Sequence, residues 1–379
     1  MDFKLSPKHQ MLKKMFREFA ENELGPIAAK VDEMNDFDME SADKMAKAGF
    51  LGIPFPQKYG GGGADELAYA IAIEELSRVS ASHGISLSVH TSLCAKAIEL
   101  FGNEEQKMKY LTRLASGQSW GAFGLTEPGA GTDAGGAKTT AILDGDEYIL
   151  NGTKVFTTNA GVADIYLVHA LTDPSIGSKG LSSFIVEKGT PGFTFGRKED
   201  KMGIRGSVQR ELLFSNCRVP KENLVGKEGI GFKIAMTALD GGRIGVAAQA
   251  VGIAQAALEE AIKYSKERIQ FRKPISANQA IQWMIADMTT RVEAARLLVY
   301  NAALMVDDGK RFSREAAMAK LFAAETAKFV TERAVQIHGG YGYMKDYKVE
   351  RFMRDAKITE IYEGTSEVMR MVISGAMLK

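Results

Sequence analysis

Apolar residues in this chain recur every three or four positions, then every second position, then every three or four again. This double switch of period restricts the fold more than any other feature. From residue 6 to about 117 the spacing is helical, notably over 67–79 and 92–101, with breaks at Gly25-Pro26, Pro54-Phe-Pro56 and the run Gly60 to Gly63. Ser6 before Pro7 reads as a hydroxyl cap with proline at the first helical position. Between about 119 and 225 alternation takes over in short runs such as Ile165-Tyr-Leu-Val-His169, Ser182-Ser-Phe-Ile-Val186 and Glu211-Leu-Leu-Phe214. No helix interrupts them, which predicts an antiparallel barrel or sandwich. Asn151-Gly152, flanked by Tyr148-Ile-Leu150 and Thr153-Lys-Val-Phe156, predicts a two-residue type I′ hairpin. Beyond about 231, amphipathic patterns over 244–268, 280–306, 313–339 and 366–378, broken at Lys273-Pro274 and Asp308-Gly309, predict a four-helix bundle with close, alanine-rich contacts. The expectation is a mostly α chain with a central β-domain: an N-terminal helical domain over 1–118, an antiparallel β-barrel-like domain over 119–225 and a C-terminal four-helix bundle over 226–379.

A length of 379 residues calls for two or three domains. Lys and Arg number 48 against 47 Asp and Glu, which excludes a nucleic-acid binder driven by bulk charge. Cys94 and Cys217 lie far apart without metal-ligand spacing, so reduced thiols and no metal site are expected. No apolar run approaches the roughly 18 residues of a membrane span, so no membrane insertion is expected. Glu18, Glu21 and Glu23 sit badly in a transit peptide. The reading is a cytoplasmic, bacterial protein whose chain starts directly with its fold.

The run Arg354-Asp-Ala-Lys-Ile-Thr-Glu-Ile-Tyr-Glu-Gly-Thr-Ser-Glu367 carries the most chemistry. It sets Glu363 between an aromatic and a glycine, at the start of the last apolar helix. Ile361-Tyr362 would form an apolar wall that raises the pKa of Glu363 by desolvation and makes it a usable base. Gly364 permits close approach to backbone, and Thr365 can cap the following helix. A second candidate is Trp120-Gly-Ala-Phe-Gly-Leu-Thr-Glu-Pro-Gly-Ala-Gly-Thr-Asp133. Its Gly129-x-Gly131 lacks the helix that a dinucleotide fingerprint requires, so a glycine-lined flavin wall competes with a plain loop.

The C-terminal run resembles the signature of the acyl-CoA dehydrogenases, and the order of helices, β-domain and bundle resembles that family over the whole chain. Residues 126–133 resemble its Thr-Glu-Pro-Gly-Ala-Gly-Ser-Asp motif, with Thr132 in place of serine. Lys154-Val-Phe-Thr-Thr-Asn159 resembles its Lys-x-Trp-Ile-Thr-Asn strand, with Phe156 in place of tryptophan. The resemblance implies FAD, contacted by Phe123, Leu125, Thr126 and Thr132, with Phe156 beside the flavin and the Thr158 hydroxyl near its N5. Thr365 and Glu367 are assigned to the cofactor on the same ground. Arg268-Ile-Gln-Phe-Arg-Lys-Pro274 with Gln279 resembles the segment by which a neighbouring subunit clamps the FAD pyrophosphate and adenosine, which assigns Arg268, Gln270, Phe271 and Gln279. Gln336-Ile-His-Gly-Gly340 resembles the loop that closes over the same dinucleotide through Gln336, Gly339 and Gly340. His338 receives no catalytic role.

For the substrate, Leu239-Asp-Gly-Gly-Arg243 is read as opening a helix. The resemblance assigns Asp240, Arg243 and Thr132 to the CoA moiety, and Tyr362 and Gly364 to the acyl site. Glu363 is then the α-proton base of an FAD-dependent α,β-dehydrogenation with hydride transfer to flavin N5. Some relatives carry the base on the earlier helix, where this chain has Gly241 and Gly242. The short-chain, butyryl-CoA type is closest, converting butyryl-CoA to crotonyl-CoA or the reverse. Residues 82–92 hold only His83 and His90, not the arginine a glutaryl-CoA enzyme would want. Electron-transferring flavoprotein as redox partner and a homotetramer are implied alike. Other acyl-CoA specificities, an oxidase-like reaction with oxygen and a non-catalytic scaffold stay open.

Overall fold

The structure, a computed structural model, describes residues 4–378. Helix α1 (Pro7–Phe19) starts where Ser6 accepts from the His9 N–H at 3.3 Å. Helix α2 (Glu66–Val79), capped by Asp65, is buried along nearly its whole length, and α3 (Ala81–Ser88) follows after Ser80. A π-helical segment, Val89–Ala95, then carries the chain beneath the first strand.

Eight strands follow: β1 (Gly121–Gly124), β2 (Thr140–Asp144), β3 (Glu147–Thr158), β4 (Ile165–Leu171), β5 (Leu181–Glu187), β6 (Phe193–Lys198), β7 (Gln209–Pro220) and β8 (Leu224–Val225). They form one sheet in the order β6-β7-β3-β2-β4-β5-β8, with β1 paired to β4. The sheet is open, and it is mixed: β1 and β2 both run parallel to β4. The fully antiparallel, barrel-like expectation is corrected on both points. Alternation identifies strands but carries no information on which neighbours pair or whether the ends meet.

Asn151-Gly152 is not a turn. It lies inside β3, where the register against β7 shifts between Leu150 and Gly152. The 12-residue β7 pairs with β3 on both sides of this bulge, and that long ladder overrides the local Asn-Gly preference. Gly152 adopts φ +143°, and a side chain there would run into Thr139. The actual two-residue turn between β2 and β3 is Gly145-Asp146, with Asp144 paired to Glu147.

Helices return as α4 (Gly231–Glu267), α5 (Gln279–Asp307), α6 (Ser313–His338), α7 (Val349–Lys357) and α8 (Ser366–Met377). Helices α4, α5 and α6 pack side by side, α8 lies along α6, and α4 also packs along α2. Because α4 begins at Gly231, Leu239 to Arg243 sits two turns inside it and does not open it. Two consecutive interior glycines cost roughly 1 kcal/mol each relative to alanine. Burial of the continuous face from Gly242 to Ile253 outweighs that penalty. Among the described residues, no helix is long and apolar enough to cross a membrane, and no group of three or more His, Cys, Asp or Glu could hold a metal ion.

Candidate active site

Glu363 sits in a turn bounded by local hydrogen bonds, from the Tyr362 N–H to the Ile358 carbonyl before it and from the Met369 N–H to the Thr365 carbonyl after it. Its φ is +53°, unfavourable for a side chain with a Cβ, and Gly364 follows at +100°. Thr365 ends the turn by accepting from the Val368 N–H at 3.2 Å, which starts α8. Both carboxylate oxygens of Glu363 are buried without a hydrogen-bond partner. Burial pushes the carboxyl up to about 7, while the positive charges of Lys320 and Arg243 partly oppose the rise. Ile361 does not supply its half of the expected wall: it is 48% exposed, whereas Leu93 and α4 lie against the carboxylate. A methyl group at Gly242 would collide with Glu363 Oε2, so the glycine makes the room that the carboxylate occupies. The base therefore reaches the face of α4 from the C-terminal turn.

Arg243, 5% exposed, directly follows Gly242 in α4 and pairs with Asp240, which also accepts from the Ser313 hydroxyl. Tyr362 donates to Gln249 Oε1, and Gln249 Nε2 donates to the Ala81 carbonyl at 3.0 Å. Tyr362, Gly364, Asp240 and Arg243 thus converge with Glu363. Lys320 on α6 joins them, its ammonium donating to the Gly364 carbonyl at 2.5 Å. Lys320 and Gln249 were not anticipated from the sequence. Lys320 left one signal there: a lone cation on the stripe Ala316, Ala319, Ala323, Ala327.

The sheet supplies a second group. Phe123 and Leu125 are both 8% exposed, Thr126 is half-buried, and Phe123 stands edge-on to His169 at 4.8 Å. Behind them Lys154 donates to Glu127 Oε1 at 2.6 Å and to the Leu125 carbonyl at 3.1 Å. Glu127 also accepts from the Lys138 and Thr139 N–H groups at 2.7 and 3.0 Å. Burial alone would raise the Glu127 carboxyl, but Lys154 and these donors hold it below the ordinary value. Thr132 lies exposed on the glycine loop, and side chains at Gly129 or Gly131 would meet nothing. Phe156, at φ +56°, is 67% exposed. Thr158 accepts from Gln209 Nε2 at 3.0 Å, which leaves its own hydroxyl proton free to donate. An exposed aromatic face, a free hydroxyl donor and an open glycine loop suit a flavin ring.

A third group lies elsewhere. Arg268, Gln270, Gly339 and Gly340 line an open groove of about 550 Å³ together with Tyr264 and His338. Arg268 lies 5.3 Å from the Tyr341 ring centroid, and buried His338 stacks on Tyr264 at 4.2 Å. Phe271 and Arg272, both at positive φ, form the tip of a two-residue hairpin, and Phe271 is 91% exposed. Gln279, Gln336 and Glu367 are exposed. In 82–92, His83 bonds Ser41 and Ser80 at 2.8 and 2.7 Å, and His90 accepts from the Gly121 N–H at 3.0 Å. Burial pushes both histidines down to about 4, so this segment presents no cation at neutral pH.

Three family models match in order: the acyl-CoA dehydrogenase N-terminal domain over residues 6–118, the middle domain over 122–217 and the C-terminal domain over 229–378. The chain is 55% identical, over 100% of both chains, to a short-chain specific acyl-CoA dehydrogenase of Clostridium acetobutylicum. It superposes on butyryl-CoA dehydrogenase from Megasphaera elsdenii with a TM-score of 0.99 and 52% identity, covering 100% of each chain. A chain in the structure of the electron transferring flavoprotein of Acidaminococcus fermentans matches with TM-score 0.99, 59% identity and full coverage of both. The chain belongs to the acyl-CoA dehydrogenase family and is an FAD-dependent oxidoreductase acting on CH–CH bonds.

Proposed function

We propose that this chain interconverts butyryl-CoA and crotonyl-CoA, with Glu363 as the base that takes the α-proton. The single observation that carries the assignment is the Glu363 carboxylate: buried, without a hydrogen-bond partner, and pushed up to about 7. A base with a pKa near the working pH holds its proton after abstraction yet is deprotonated in a useful fraction of molecules beforehand. FAD, when bound, supplies the hydride acceptor for the β-carbon. Phe123, Leu125, Thr126, Thr132, Phe156 and Thr158 would hold its flavin end, with the Thr158 hydroxyl as a donor, and Thr365 and Glu367 are assigned to it as well. The Glu363 N–H would polarise the thioester carbonyl, a stabilisation that matters most as negative charge develops on that oxygen. Asp240, Arg243 and Thr132 are assigned to the CoA moiety, Tyr362 and Gly364 to the acyl group.

The same proposal makes the protein a homotetramer in which Arg268, Gln270, Phe271 and Gln279 clamp a neighbour's FAD while Gln336, Gly339 and Gly340 close over it. The outward-facing Phe271 hairpin and the groove beside Arg268 support it. Electron-transferring flavoprotein as partner is supported by the likeness to the Acidaminococcus fermentans chain. A cytoplasmic setting is supported by the bacterial relatives.

Two measurements test this. Glu363→Gln should keep FAD and bind thioester while losing flavin bleaching by butyryl-CoA; near-normal bleaching would move the base elsewhere. Anaerobic titration of the native enzyme should bleach the flavin with butyryl-CoA well before octanoyl-CoA, and glutaryl-CoA should fail. Each methylene that finds a pocket is worth roughly 0.8 kcal/mol, so equal or better bleaching by octanoyl-CoA would discard the short-chain assignment alone.

A further inference from the structure

Lys320 is a charge where α6 should carry none. It is fully buried, on the face that carries the equally buried Ala316, Ala319, Ala323 and Ala327. Removing an ammonium group from water is costly unless something holds it. Among the described residues its hydrogen bond is to the Gly364 carbonyl, at 2.5 Å, and no ion pair joins it to a carboxylate. The charge that acts on it most strongly is nevertheless Glu363, and Lys320 is the strongest of the charges that act on Glu363.

We propose that Lys320 is a positioning residue for the proton-abstracting turn: its ammonium grips the Gly364 carbonyl, which holds the left-handed Glu363-Gly364 backbone, and so stands beside the Glu363 carboxylate without bonding to it. The proposal rests on Glu363 being the base. A lysine bonded directly to the carboxylate would pin it and occupy the lone pair that must meet the α-proton. Tethered to the next carbonyl, the same charge favours the ionised base and leaves both oxygens bare. Three other charges act at this point, and Arg243 also acts on Glu363. Arg243 on α4 is engaged by Asp240, Glu360 lies in the turn before Tyr362, and Glu367 lies on α8. Burial brings Lys320 itself down to about 8. A neutral Lys320 can still donate to the carbonyl, so the grip outlasts the charge as pH rises.

The test uses FAD-loaded enzyme with Lys320→Met, Lys320→Gln and Lys320→Arg. Flavin content, affinity for crotonyl-CoA and the rate of flavin reduction by butyryl-CoA are measured from pH 5.5 to 9.5. Removing a neighbouring positive charge raises a carboxylate's pKa, and the base acts only when deprotonated. The acid limb should therefore move up by about one pH unit in Lys320→Met, a rate loss of about tenfold at low pH that shrinks as pH rises. Lys320→Gln keeps a donor for the carbonyl without the charge, so it should show the same shifted limb and a higher plateau than Lys320→Met. Lys320→Arg should leave the limb in place, and crotonyl-CoA affinity should change little throughout. An unshifted limb in Lys320→Gln, or an equal loss at every pH, would overturn the proposal. Failure of all three variants to fold or retain FAD would also overturn it, by reducing Lys320 to a core residue. Wild-type enzyme that no acyl-CoA reduces would instead sink the functional reading beneath it.

Discussion

Two regions of this protein each bury a glutamate near a lysine, and they do opposite things with the pair. Behind β1, Lys154 touches Glu127 at 2.6 Å while two backbone N–H groups donate one to each of its oxygens, so Glu127 is held below the ordinary carboxylate value. In the C-terminal turn Lys320 is held off on a carbonyl, Glu363 has no donor, and burial takes its carboxyl up to about 7. Proximity of a cation is common to both. What separates an inert brace from a poised base is whether the carboxylate's hydrogen bonds are made. The first region fixes the loop that begins at Thr126. The second keeps a proton acceptor unsatisfied, a cost that the surrounding core sustains.

If that contrast holds, the largest effect should come from breaking the satisfied pair. Glu127→Leu leaves Lys154 as an uncompensated buried charge and should cost about 3–5 kcal/mol of stability, read by denaturant unfolding of the FAD-loaded enzyme. A change under about 1 kcal/mol would mean that water already reaches this pair.

Glu363→Gln should go the other way. Because the folded-state pKa is raised, the charged form is penalised in the native protein. The wild type therefore loses stability as pH rises from about 4.5 to about 7. Each pKa unit corresponds to 1.36 kcal/mol, so the amide variant should gain up to roughly 3 kcal/mol relative to wild type at pH 8 and nothing at pH 4. Thermal unfolding of both proteins across that range checks the sign, and a pH-independent difference would contradict it.

Gly242→Ala sharpens the geometry. The added methyl must displace Glu363 Oε2. Overpacking of this kind costs about 1–3 kcal/mol, which at the reacting group should appear as a loss of about tenfold to a hundredfold in flavin reduction with FAD retained. Gly241→Ala, whose methyl would meet nothing, is the control and should be near wild type.

The smallest effect is the cap. Thr365→Ala removes the acceptor for the Val368 N–H and should cost about 1 kcal/mol. Thr365→Ser should restore most of it.

Much of the site was legible because it is local. Glycine, threonine and an apolar helix following one glutamate describe a turn and a cap within a few residues, and the structure builds both. The β-domain was legible as strands but not as a sheet: the Asn151-Gly152 signal failed because pairing with β7 is worth more than a turn preference, while Gly145-Asp146, an equally ordinary turn dipeptide, made the turn. At Phe271-Arg272 two non-glycine residues adopt positive φ, which no sequence rule for turns would have selected.

What the sequence by itself determined is the order of helical, β and helical regions, the glutamate at 363 and the flanking residues that let it end a turn, since periodicity and capping act over one or two helical turns. Only the tertiary structure decided that Gly242 would yield its space to that carboxylate, that Leu93 and not Ile361 would cover it, and that Lys320 would stand by without bonding. Residues 93, 242, 320 and 363 are brought together by packing, and a carboxylate's pKa is set by what lies within a few ångströms of it in space.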